Sequence, residues 1–80
     1  MPKAIIYTAP DCPHSKNLKD FLKENNIDFE ENNILKSKEI ALELKEKTGQ
    51  MGIPVAIIQG EVFIGFDRRV ERRIKRQVGV

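Results

Sequence analysis

The chain has one cysteine, one histidine, one tyrosine and no tryptophan in its 80 residues, and each scarcity closes off a class of protein. A single thiol cannot form an internal disulfide, which excludes the paired-cysteine frameworks of many small secreted domains. A reducing compartment is therefore expected, with the cytoplasm as the default. Asp11, Cys12 and His14 are too few to make a closed four-ligand metal site, so no metal is expected. The N-terminal apolar run, Ala4-Ile5-Ile6-Tyr7, is too short for a secretion signal or a membrane span. A formal net charge of +2 does not by itself call for a polyanionic partner.

What is present is the composition of an ordinary folded domain, 40% hydrophobic and 32% charged, long enough for one domain over residues 1–80 and for no second. Ala4 to Tyr7 lies within a buried strand over Lys3–Thr8. Ala9-Pro10-Asp11 breaks it, and Pro13 suits the first position of a helix, where its missing N–H costs nothing. Leu18, Phe21 and Leu22 recur at helical spacing up to about Asn25. Ile27 to Asn32 alternates as a half-buried strand. Ser37 can cap a second helix that ends at Gly49, with Ile40, Ala41 and Leu44 inward. Val55–Ile58 and Val62–Ile64 flank Gln59-Gly60-Glu61 as a hairpin. Asp67 can cap a last helix burying Val70, Ile74 and Val78. The expected class is α/β, in the order β-α-β-α-β-β-α. Three helices should flank a four-stranded mixed sheet, its first two strands parallel and its last two antiparallel.

Cys12 falls between the first strand and the first helix, where unpaired N–H groups and the helix dipole favour a negative charge. A thiol with a free pKa of about 8.5 drops to roughly 3.5–7.5 in such places, which makes the attacking thiolate available at neutral pH. Its polar surroundings speak against a purely core-filling cysteine. His14, when protonated, would add positive charge beside the sulfur, although a solvated surface histidine reads equally well.

Cys12-Pro13-His14-Ser15, with Thr48-Gly49-Gln50-Met51-Gly52-Ile53-Pro54-Val55 and Ile64-Gly65-Phe66-Asp67 further on, resembles the glutaredoxin branch of the thioredoxin superfamily, and most of all its short bacterial and archaeal redoxins. The resemblance covers the whole chain. It implies a thioredoxin fold and a thiol–disulfide oxidoreductase with Cys12 as nucleophile and no tightly bound cofactor. It also implies a cis peptide bond before Pro54, facing the cysteine, and a backbone at Ile53 that binds a thiol substrate as an added strand. Ser15 stands where dithiol relatives carry the resolving cysteine. Either the protein is naturally monothiol and relies on an outside thiol, or serine replaces a native cysteine.

Glutathione is the co-substrate that the resemblance implies, held by Gln50, the Ile53-Pro54 backbone, and Phe66 and Asp67 at the start of the last helix. Against it, Ala9 stands where glutathione-dependent relatives commonly carry lysine, and the paired glycines before the last helix are absent. The rival within the same chemistry is a redoxin reduced by thioredoxin reductase and serving protein disulfides. A binding or iron–sulfur-carrying module without enzymatic activity is the second class. The arginine-rich last helix raises nucleic acid as a third, but no base-reading or stacking motif accompanies it, and a solvated helix face is the expectation. A monomer is expected.

Overall fold

A computed structural model describes residues 3–50 and 52–79. Met51 of the quoted motif lies outside them.

Ala4–Thr8 forms β1, buried at every position but Ile5. Its two faces serve two different cores: Ala4 and Ile6 point one way, Ile5 and Tyr7 the other. Helix α1 (Pro13–Glu24) follows, with Pro13 in its first turn and Leu18, Phe21 and Leu22 buried. Its end is more elaborate than the sequence suggests. Asn26 takes the left-handed conformation (φ 57°), the Asn26 N–H bonds Lys23 O at 3.2 Å, and the Ile27 N–H bonds Leu22 O at 2.9 Å. Ile27 is thereby spent on closing the helix, with its side chain buried. Strand β2 accordingly begins at Phe29 and runs to Asn33, not from Ile27.

Helix α2 (Lys38–Thr48) starts at the Ser37 cap and stops at left-handed Gly49. Of its three expected inward residues Leu44 is buried, while Ile40 and Ala41 are half-buried. Strands β3 (Val55–Ile58) and β4 (Glu61–Ile64) form the hairpin. Gln59 and Gly60 both have positive φ, 53° and 81°, so the turn holds two residues and Glu61 already pairs with Ile58. Helix α3 (Arg68–Val78) begins at the Asp67 cap, buries Val70 and Ile74, and ends at Gly79.

The sheet order is β2-β1-β3-β4. β1 is parallel to β2, with Ala4 opposite Phe29, and antiparallel to β3, with Tyr7 opposite Val55. The larger core joins α1 and α3 to one face through Ile6, Leu18, Phe21, Leu22, Phe63 and Ile74. The smaller one joins Leu44 of α2 to Tyr7 and Val55 on the other. This is the expected arrangement of three helices on a four-stranded mixed sheet.

Candidate active site

The sheet register brings the candidate residues to one edge of the molecule. β1 runs toward Cys12 and ends at Thr8, and β3, antiparallel to it, begins there at Val55. β4 returns to the same end, where Ile64 pairs with Val55 and the Gly65 N–H bonds Pro54 O at 2.7 Å. Cys12, Ile53-Pro54 and Phe66-Asp67 are thus gathered from three separate stretches of sequence by strand pairing alone.

Cys12 is the residue that opens α1, with extended backbone (φ −101°, ψ 111°) and no side-chain cap bond. Its carbonyl already serves the helix, accepting from Ser15 N at 3.1 Å and Lys16 N at 3.3 Å. The thiol is half-buried. Its pKa lies below that of an ordinary thiol, first because the Ser15 hydroxyl donates toward the sulfur. The backbone N–H groups of Ser15 and His14 add to this, against an opposing effect of burial. The side chain of His14 is exposed.

Ser15 is 1% exposed, and its Oγ meets no partner of regular hydrogen-bond geometry among the described residues. A buried hydroxyl without a partner is unfavourable, so its proton is best used on the sulfur of Cys12 even in an imperfect contact, above all when the sulfur is ionised. Pro13 occupies the first helical turn, where it removes an N–H that would otherwise be unpaired.

The peptide bond between Ile53 and Pro54 is cis. Pro54 is buried and Ile53 half-buried, and among the described residues no backbone bond outside the regular elements uses Ile53 N–H or C=O. Gln50 is turned onto its own loop: its Nε2 reaches Thr48 Oγ1 at 3.3 Å and Gly52 O at 3.2 Å, and its Oε1 accepts from Gly52 N. Phe66 packs on Phe21 of α1, ring centroids 5.5 Å apart. Asp67 Oδ1 accepts from Val70 N at 2.9 Å.

Sequence reasoning passed over Thr8. Its hydroxyl, on a residue 1% exposed, donates to Glu31 Oε2 at 2.7 Å, and Lys19 of α1 pairs with the same oxygen at 3.0 Å. These bonds hold the Glu31 carboxyl below its usual range, Thr8 first. They fasten the end of β1, and with it the loop that carries Cys12, to β2 and α1. The signal available was a threonine closing an otherwise apolar run.

The family model for glutaredoxin matches residues 4–64. The chain belongs to the glutaredoxin family. A glutaredoxin-like protein of 8.6 kDa from the rubredoxin operon of Clostridium pasteurianum is 36% identical over 63 residues, 79% of this chain and 84% of that one. A mutant of the thioredoxin-like protein BC3987 is similar over 100% of this chain and 99% of its own, at 30% identity and a TM-score of 0.86. The glutaredoxin-like NrdH-redoxin of Escherichia coli, described for its thioredoxin-like activity profile, is 28% identical with a TM-score of 0.77, covering 90% and 93% of the two chains. The fold is therefore the thioredoxin fold, and membership of this redoxin family supports thiol–disulfide oxidoreductase chemistry.

Proposed function

We propose that this glutaredoxin-family protein carries out the thiol half of disulfide exchange through Cys12. The observation that carries the reading is the thiol's place at the start of α1, on extended backbone with no side-chain cap bond, where its pKa lies below that of an ordinary thiol. The Cys12 thiolate attacks one sulfur of a disulfide. A new S–S bond forms to Cys12, the old one breaks, and the departing thiolate leaves with the electron pair and takes a proton from water. Ser15 has no sulfur, so the mixed disulfide is released by an outside thiol. Pro13 starts the helix, and the Ile53 backbone beside Pro54, which makes no turn or loop bond among the described residues, offers an N–H and C=O that an extended thiol-bearing peptide could pair with.

Glutathione is one such thiol. Gln50, Phe66 and Asp67 are the remaining candidates to contact it, and the free N–H groups at the start of α3 suit a carboxylate. Protein disulfides, with thioredoxin reductase supplying electrons, are the second reading. Two observations favour it: Ala9 where glutathione-dependent relatives commonly carry lysine, and the likeness to a redoxin with a thioredoxin-like activity profile. A lone unpaired thiol suits a reducing compartment such as the cytoplasm under either reading.

Oxidised glutathione should leave one glutathione on Cys12, read as a single added mass and removed by dithiothreitol. The Ser15→Cys variant should shed it by internal attack and gain the ability to reduce protein disulfides. Equal protein-disulfide reduction by both forms would overturn the role given to position 15. Failure of both to take up glutathione, with Cys12 still open to alkylation, would decide for the reductase-linked redoxin.

A further inference from the structure

Helix α3 is chemically unlike the rest of the chain. All five arginines lie in it, at positions 68, 69, 72, 73 and 76, whereas eight of the nine lysines lie outside. With Lys75 and Glu71, the helix carries six cations and one anion, a net +5. The other residues carry eight cations and eleven anions, a net −3. The modest total of +2 conceals a strongly divided molecule.

The helix also sorts its cations. Val70 and Ile74 face the core, and at about 100° per residue Arg68, Arg69, Arg72 and Arg76 fall on the opposite arc, where all four are exposed. The two flanking cations are occupied. Arg73 lies 3.5 Å from Glu61 and 5.2 Å from the Phe63 ring centroid. Lys75 lies 3.7 Å from Glu71 and 6.0 Å from the Phe21 ring centroid. Among the described residues the four outward arginines make no ion pair. Their guanidinium forks, matched to paired oxygens and weakly hydrated, are left free.

We propose that this arginine face docks an acidic face of the protein whose disulfide Cys12 attacks, an inference that rests on the redoxin reading of Cys12. Location supports it. α3 begins at Asp67, at the sheet end that carries Cys12, and Phe21 of the Cys12 helix touches both Phe66 and Lys75. The molecule is 34 Å in its longest dimension. The field of the helix therefore spans it at low salt, where the screening length is about 30 Å, and shrinks to direct contact at about 8 Å in physiological salt. Size supports a protein carboxylate patch over a nucleic acid. An α-helix of this length extends only about 16 Å, and a phosphate backbone running past it would meet the net −3 elsewhere. No aromatic accompanies the arginines on their outward arc to stack a base.

The test uses matched peptides with one cysteine as its mixed disulfide with 2-mercaptoethanol, flanked by glutamates, glutamines or lysines. The rate of peptide transfer to Cys12 is followed by mass. At about 10 mM salt the glutamate peptide should react at least about ten-fold faster than the glutamine peptide, within the range of electrostatic steering. The lysine peptide should be slowest, and added salt should erase the order. The variant Arg69→Gln/Arg72→Gln/Arg76→Gln should lose the preference while reacting normally with the glutamine peptide, which also shows that it is folded. Equal rates for the three peptides, or a preference that survives the substitutions, would overturn the proposal and leave the redoxin reading standing. If no peptide adds to Cys12, the redoxin reading is overturned and the docking surface falls with it. Salt-resistant binding of an oligonucleotide, lost in the triple variant, would overturn the choice of a protein partner.

Discussion

The helix that carries the thiol begins in a different way from the other two. α2 opens on Ser37, whose Oγ accepts from Ile40 N at 3.2 Å, and α3 on Asp67, whose Oδ1 accepts from Val70 N at 2.9 Å. Each has an acidic residue in its first turn, Glu39 and Glu71. α1 opens on Cys12 with no side-chain cap and no acid in its first turn. In α2 and α3 a local oxygen uses up part of the positive end of the helix. In α1 that end is reserved, and the thiolate is the anion it serves. A cap is worth about 0.5–2 kcal/mol, so α1 forgoes stability in the range that a structural helix would collect, and holds instead a thiol whose pKa is lowered.

The sharpest way to break this contrast is to give α1 the cap it lacks. Cys12→Asp places a carboxylate on extended backbone suited to capping. It should abolish disulfide uptake entirely while raising stability by about 1 kcal/mol, or about 4–8 °C in Tm for a domain of this size. Both are readable from one sample, by mass after oxidised glutathione and by thermal unfolding. A variant no more stable than the parent would mean that the N–H groups at Cys12 were already satisfied.

A smaller effect is expected from pH. The folded state lowers the Cys12 pKa, with the Ser15 hydroxyl as the leading cause. The alkylation rate should therefore have its midpoint below the ordinary thiol value of about 8.5, and Ser15→Ala should move it upward. Stability follows with a definite sign. Because the fold favours the thiolate, its contribution is complete above the unfolded value, and it is lost as pH falls through the depressed one. Unfolding by denaturant on either side of that window, compared with Cys12→Ser, measures it. A midpoint unmoved by Ser15→Ala would assign the effect to the backbone N–H groups alone.

What was legible in the sequence was what single residues or short periodicities determine. Ser37, Asp67, Gly49 and Pro13 each do locally what their chemistry predicts, and the continuous apolar runs Ala4–Tyr7 and Val55–Ile58 are the two central strands of the sheet. The family motifs carried the cis bond at Pro54, where the residues alone favour trans, because most X-Pro bonds are trans. The errors lie where a backbone bond reaches past a side-chain pattern. Ile27 looks like a strand residue by alternation, yet its N–H is held by Leu22 O. Glu61 looks like turn chemistry, yet it pairs with Ile58. At the site, the burial of Ser15 and the bond from Thr8 to Glu31 were invisible because they depend on neighbours brought in by the sheet.

The smallest expected effects compare the two capped helices with each other. Asp67→Ala removes a charged acceptor from a 2.9 Å bond, at the start of a helix that places Val70 and Ile74 in the larger core. Ser37→Ala removes a neutral acceptor from an exposed 3.2 Å bond, on a helix with one fully buried side chain, Leu44. Charged caps also gain from the helix dipole. The loss should therefore be about 1 kcal/mol for Asp67→Ala and nearer about 0.5 kcal/mol for Ser37→Ala, the low end for such caps. Denaturant midpoints at constant slope rank the two. Neither substitution should change Cys12 alkylation, since neither group lies among the causes of its shifted pKa. If Ser37→Ala costs more than Asp67→Ala, then α2, despite its thin core, stabilises the fold more than α3 does. The arginine face would then ride on the less firmly held of the two helices.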